Sequence, residues 1–449
     1  MNCKRRKYAS GWSVVVLALI VLLADCSNNS SYHSFADRPG FREYYSGRCT
    51  GGDFPVQDRS DELLLLRYRP RIILPPGGLY PIDFYRDYIP HTVMRSWPEG
   101  SVVHEEVTRE TLSENSDNRG VYLDLHLDGY REAGLDRRQG EQHEIPLKER
   151  RPVIYGRAYR EQVAFPYGEN GEEKRQLIFL KYNLVFPFSG LPAELSSGSR
   201  ALLRLSGFDR DDWHELDNFV AIHIVLDEKE QPIAIILAQH NHHRSYLLGK
   251  DMEKPEDGRL GFDVALRSNE IYPASIPYHH ASGEPARHRV IRWSLYLDYL
   301  LSGENEPFLK GFDVTVGREM GGQEIDYDLA FLSPCDPLYT AQMLLGEPRP
   351  FWWGIYLGRD GPPGSDYYNL PGLLPMGNLL KFGYLQDMDQ EDIEVVREAI
   401  DRKAKTMDID MIIEHGGRTF LEDWREVQGT GLGAQGEKIF DGAPGRYED

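Results

Sequence analysis

The stretch Phe219-Val220-Ala221-Ile222-His223-Ile224-Val225-Leu226, the polar connection Asp227-Glu228-Lys229-Glu230, and the run Gln231-Pro232-Ile233-Ala234-Ile235-Ile236-Leu237-Ala238-Gln239-His240 decide the fold. Two short runs rich in Ile and Val flank a loop of hairpin length, which is the pattern of paired strands. A four-residue loop places Leu226 opposite Gln231. A two-residue loop keeps that alignment, and an odd-length loop shifts it. Strand side chains alternate faces. One face therefore carries Val220, Ile222, Ile224, Leu226, Ile233, Ile235 and Leu237 without a polar interruption. That face must be core, at about 1.5–3 kcal/mol per fully buried side chain. The same strand character recurs in Leu63 to Leu74, Val153 to Tyr159, Leu177 to Phe188 and Ala201 to Leu205. The expected fold is mainly β, an antiparallel β-sandwich core with peripheral helices.

The other face of the hairpin concentrates chemistry. It carries Phe219, Ala221, His223 and Val225 beside Ala234, Ile236 and Ala238. At its open end the inferred alignment sets Asp217 opposite His240 and Glu215 opposite His242. Opposed Cβ atoms in an antiparallel ladder lie about 4.5–5.5 Å apart. Two carboxylates and two imidazoles on one patch form a set that binds divalent metals. In one reading Asp217, His240 and His242 hold a divalent metal ion and Glu215 activates water as the catalytic base. In the other, the four residues make two His–carboxylate hydrogen bonds at a strand end, with no function beyond structure.

The order of segments resembles the vacuolar protein sorting-associated 62-type family, related to the necrosis-inducing proteins. Tyr68-Arg69-Pro70 followed by Tyr80-Pro81 is similar to the family's opening Tyr-x-Pro segment. Tyr182-Asn183-Leu184-Val185-Phe186-Pro187-Phe188 has the form of its aromatic strand ending in Pro and an aromatic residue. His214-Glu215-Leu216-Asp217-Asn218-Phe219 stands where the family has His-Glu-Gly-Asp-Trp-Glu, and Ala238-Gln239-His240 matches the strand end that follows. Ser268-Asn269-Glu270-Ile271-Tyr272-Pro273 partly echoes a Ser-His-x-x-Tyr-Pro element. The resemblance spans about residues 62–275. It implies a β-sandwich with the motif at its rim and a cation held by the motif's acids. Asp217 keeps one of those acids, whereas Phe219 replaces the final Glu and Asn218 the Trp.

The N-terminus reads as a targeting segment. A basic patch, Lys4-Arg5-Arg6-Lys7, precedes the apolar run Trp12 to Leu23 and then Leu23-Ala24-Asp25-Cys26. About a dozen apolar residues suit a signal peptide and fall short of the roughly 20 that cross a bilayer. The ending resembles a bacterial lipobox, with Asp25 as its departure. The expectation is a signal peptide over 1–25 and a lipidated Cys26 with a tether over 26–60. It places the protein in the cell envelope, at the outer membrane if the envelope is Gram-negative. Cys49 and Cys335 remain as an even pair in an exported chain. They form either one long-range disulfide or two buried thiols.

The 449 residues are 41% hydrophobic and 27% charged, enough for a substantial core and too apolar for general disorder. Lys plus Arg number 51 against 71 for Asp plus Glu, a net −20, which argues against nucleic acid as a partner. The expected organisation is a β-sandwich domain over 61–340 with a polar excursion at 105–150. A C-terminal extension follows over 341–428, with a helix near 389–407, and then a mobile tail over 429–449. Phe351-Trp352-Trp353-Gly354 offers Trp352 and Trp353 either as a ligand-binding stack for a sugar ring or as aromatic core, and Asp366-Tyr367-Tyr368-Asn369 adds to such a patch. No phosphate loop and no nucleophile elbow occurs. The functional expectation is a lipid-anchored envelope protein whose β domain binds an envelope glycan or lipid without turnover. The alternatives are a metal-assisted hydrolase built on the Glu/Asp/His set, and a structural lipoprotein with a protein partner.

Overall fold

The computed structural model describes residues 44–54, 57–97, 99–126, 151–165, 173–189, 216–218, 220–239, 242–248, 259–274, 321–346 and 363–366. The expected signal peptide and lipidated Cys26, the helix near 389–407, the tail, and Glu215, His240, Trp352 and Trp353 lie outside these residues. In chain order the strands are β1 (Arg71–Leu74), β2 (Thr92–Ser96), β3 (Val102–His104), β4 (Val121–Leu125), β5 (Val153–Phe165) and β6 (Glu173–Leu184). They continue as β7 (Ala221–Leu226), β8 (Pro232–Gln239), β9 (His242–Leu247), β10 (Gly261–Val264), β11 (Ile271–Pro273), β12 (Gln323–Glu324) and β13 (Asp328–Phe331). The described chain is mainly β, with antiparallel and mixed sheets and short helices. A six-stranded sheet has the order β13-β5-β6-β7-β8-β9, a four-stranded sheet β11-β10-β1-β12, and a three-stranded sheet β3-β2-β4. All pairs in the large sheet are antiparallel except β13 with β5.

The alternation in 220–226 and 235–237 does build the core face, whereas Ile233, expected on it, is only half-buried and lies outside the cluster. Val220, Ile222, Ile224, Leu226, Ile235 and Leu237 lie in one buried cluster with Leu180, Tyr182 and Leu184 of β6. The same cluster takes in Ile72 and Leu74 of β1, Phe262 and Val264 of β10, and Ile271 of β11, so the two larger sheets share one core. Helices α1 (Arg48–Gly51) and α2 (Arg59–Arg67) precede β1, and α2 sends Leu64 and Leu65 into this core. Close approach explains Gly156 in β5. A Cβ there would stand 3.1 Å from Leu329 and 3.5 Å from Leu65.

The hairpin alignment differs from the expected one. Ile224 faces Ile235 and Leu226 faces Pro232, with a bulge between Val225 and Leu226. The connection is therefore the five residues Asp227 to Gln231. Asp227 causes this, because its carboxylate accepts the backbone N–H groups of Lys229 and Gln231, each at 2.8 Å. Glu230 adopts the left-handed conformation that completes the turn (φ 59°). A bulge combined with an odd loop moves the ladder by two residues, an even number, so each paired side chain keeps its face, and only Ile233, the extra residue of the bulge, leaves the core cluster.

Other expectations are corrected too. The segment 105–150 is not all excursion: helix α3 (Arg109–Glu114) and β4 supply Leu112 and Leu123, both fully buried. They belong to a second cluster, with Phe84, Tyr88, Met94, Tyr155 and Tyr339, on the opposite face of β5. Nor is all of 26–60 tether. Tyr45 is buried, and Cys49 is disulfide-bonded to Cys335 across 286 residues. Past residue 340, Ala341, Met343 and Leu345 still lie in the second cluster. Asp366 is buried rather than part of an exposed aromatic patch.

Candidate functional site

Asp217 sits away from the β7–β8 ladder. Its backbone forms an isolated bridge with Phe186, with N–H···O distances of 2.7 and 3.0 Å. Its carboxylate is buried and accepts the Asn269 side-chain N–H at 2.8 Å. The same Asn269 amide donates to the Phe188 carbonyl at 2.8 Å. His242 begins β9 and pairs with Gln239, the last residue of β8, so it does not face Asp217 across a β7–β8 ladder. The structure brings Asp217 to Asn269, and through that amide to Phe188, while His240 lies outside the described residues. Among the described residues, no group of three or more His, Cys, Asp and Glu side chains is placed to hold a metal ion.

The non-core face of the hairpin carries a different constellation. Arg157 of β5 faces Lys181 of β6, and Lys181 faces His223 of β7, so three nitrogen bases form one cross-strand row. All three are buried. Like charges directly opposed on a sheet are destabilising, and Asp366 answers them. Its carboxylate accepts from both Arg157 and Lys181 and from the Tyr45 hydroxyl. The Pro363–Asp366 strap that carries it is held by backbone bonds from Gly364 to Ala341, Ser365 to Leu338 and Asp366 to Tyr339. Only glycine fits at 364, since a Cβ would fall 2.6 Å from the Tyr339 carbonyl oxygen. Burial pushes the Lys181 ammonium down to about 8 against the pull of Asp366. Burial alone would raise the Asp366 carboxyl, but Arg157 and Lys181 outweigh it and hold it below the usual range. Tyr339 lies beneath both cations, 4.3 Å from the Arg157 guanidinium carbon and 5.2 Å from Lys181 Nζ. Tyr159 shares a 3.0 Å hydrogen bond with His223 Nδ1. Closed on all sides, this cluster is a structural clasp.

Among the described residues, a cleft of about 600 Å³ opens between β2, the Glu105–Arg109 segment and the β5 end of the large sheet. Asp83, Tyr85, Glu105, Glu106, Thr108, Arg109 and Tyr155 supply its polar and aromatic lining. Asp83 caps the π-helical turn Phe84–Tyr88, accepting from the N–H groups of Tyr85 and Arg86 and from the Tyr155 hydroxyl at 2.9 Å. Asp336 behind the wall caps α4 (Pro337–Thr340) and accepts from Tyr85 and Arg109. Burial and then the neighbouring carboxylates, Asp336 for Tyr85 and Asp83 for Tyr155, raise both phenols. They stay protonated as donors and are not nucleophiles. The exposed polar groups at the mouth are Glu105, Glu106, Thr108 and Arg109.

Sequence reasoning missed this cleft by reading 105–150 as excursion. The usable signal was Thr108 three residues ahead of Thr111, which forms a reciprocal capping box, and the alternation Val121-Tyr122-Leu123-Asp124-Leu125. Nothing local pointed to Asp366.

No protein-family model matches the chain. No curated protein matches it either. A solved structure titled "Toxin fold for microbial attack and plant defense" aligns over 49% of this chain and 72% of that chain, at 10% identity and a TM-score of 0.22. A likeness that slight carries no argument about fold or function.

Proposed function

We propose that this protein is a lipid-anchored binding protein of the cell envelope whose cleft takes a glycan without turnover. The observation that carries the reading is the cleft lining. The half-buried ring of Tyr85 and the exposed polar groups of Glu105, Glu106, Thr108 and Arg109 meet at one concavity, a combination suited to polyhydroxylated ligands. Asp83 and Asp336 are committed to capping and to tyrosine hydroxyls, so they serve as rigid walls rather than as an acid–base pair. The carboxylates of Asp83, Glu105 and Glu106 oppose an anionic lipid headgroup, which favours glycan over lipid. The anchor rests on the sequence from Lys4 to Cys26. The two larger sheets are read as the leaves of a β-sandwich because their side chains meet in one cluster. The resemblance to the vacuolar protein sorting-associated 62-type family gains support where Phe188, Asp217 and Asn269, from three of its elements, hydrogen-bond together.

The test is calorimetry of the mature chain against soluble peptidoglycan fragments and envelope oligosaccharides, with mass spectrometry of the recovered glycan. Binding of one class, unaltered glycan, and at least tenfold weaker binding in Glu106→Gln/Thr108→Ala are expected. No binding, or cleavage of the glycan, overturns the reading. For the anchor, Cys26→Ser should abolish labelling by a palmitate analogue.

A further inference from the structure

We infer that the free edge of β3, together with Glu105 and Glu106, docks an extended, lysine- or arginine-bearing segment of a partner protein. In the order β3-β2-β4, β3 is an edge strand. Val102 is 46% exposed and Val103 42%. Both valines therefore stand open to solvent at this edge. Edge strands are ordinarily guarded by charge, proline, shortness, a bulge or a covering element, because their unpaired N–H and C=O groups template another strand. Ser101-Val102-Val103-His104 carries no Lys, Arg or Pro. β3 is only three residues long and Val103 is the extra residue of a bulge, since Met94 pairs with His104 and Arg95 with Val102, so an added strand meets a short span of backbone. The strand then runs directly into two exposed glutamates at the cleft mouth.

This combination selects the occupant. Backbone pairing with β3 accepts any extended chain, apolar side chains cover Val102 and Val103, and the glutamates favour basic residues at the end of the added strand. A second copy is disfavoured, because each molecule carries a net −20 and copies repel. The surface shares Glu105 and Glu106 with the cleft but neither valine lines it, so Val103→Lys separates this inference from the glycan reading.

The probe is an N-acetylated, C-amidated octapeptide of alternating Val and Lys, measured against the mature chain by fluorescence anisotropy and by backbone amide shifts at Val102 to His104. Saturable binding is expected, at least tenfold tighter than for the alternating Val/Glu peptide. N-methylation of alternate peptide nitrogens should abolish it, Val103→Lys should weaken it at least tenfold, and Glu105→Gln/Glu106→Gln should remove most of its salt dependence. Glycan binding should persist in Val103→Lys, so the two proposals fail separately. Equal binding of the N-methylated peptide, or no effect of Val103→Lys, overturns the inference. A micromolar dimer of the chain that Val103→Lys dissolves also overturns it, in favour of self-pairing.

Discussion

Asp366 faces two cations with one charge, and the consequences follow from which partner is removed. Asp366→Asn leaves Arg157 and Lys181 buried without a counter-ion. Breaking a buried pair this way costs about 3–5 kcal/mol, which urea denaturation should read as a large fall in midpoint. Lys181→Met is the opposite case, because Arg157 and Asp366 still neutralise each other. Stability at pH 7 should be unchanged or raised. The pH profile separates the two states of Lys181. Its ammonium releases a proton near pH 8 in the folded chain and near 10.5 when unfolded. Between those values the unfolded chain binds more protons, so this lysine's contribution to stability rises with pH. The difference between wild type and Lys181→Met should show that rise from pH 8 to 10. Comparing the two also cancels the buried tyrosines Tyr45 and Tyr159, whose raised pKa values act in the other direction above pH 10. An identical pH profile for the two proteins would show that Lys181 does not titrate in that window.

Among the elements, the β7–β8 hairpin shows how much a sequence discloses. Its facing was legible, because alternation survives any shift by an even number of residues. Its alignment was not, because the turn is set by one side chain, Asp227, folding back on two amides. An assignment of partners across the open end therefore inherited an error that the core face never reveals. The second face was illegible for another reason. Arg157 and Lys181 find their covering strap well over a hundred residues later, at Pro363–Asp366, and no periodicity links the two. The strap is testable as an element through Gly364. Gly364→Ala drives a methyl against the backbone of Tyr339 and Ala341. Overpacking of this kind costs about 3 kcal/mol, which should appear as a lowered denaturation midpoint with an unchanged slope.

The whole molecule is held by contacts between distant parts of the chain. β13 pairs with β5 across more than 150 residues, and β1 pairs with β10 at similar range. Cys49 is bonded to Cys335, and Tyr45 reaches Asp366. Loop closure on that scale makes a disulfide worth about 3–5 kcal/mol. Cys49→Ser/Cys335→Ser should lose that amount in chemical denaturation, and reducing the wild type should reproduce the loss. The same bond has a temporal consequence. A polypeptide emerging from its N-terminus presents one thiol long before the other exists. The seal is therefore a late event, and a chain broken off upstream of Cys335 keeps Cys49 without the thiol it pairs with.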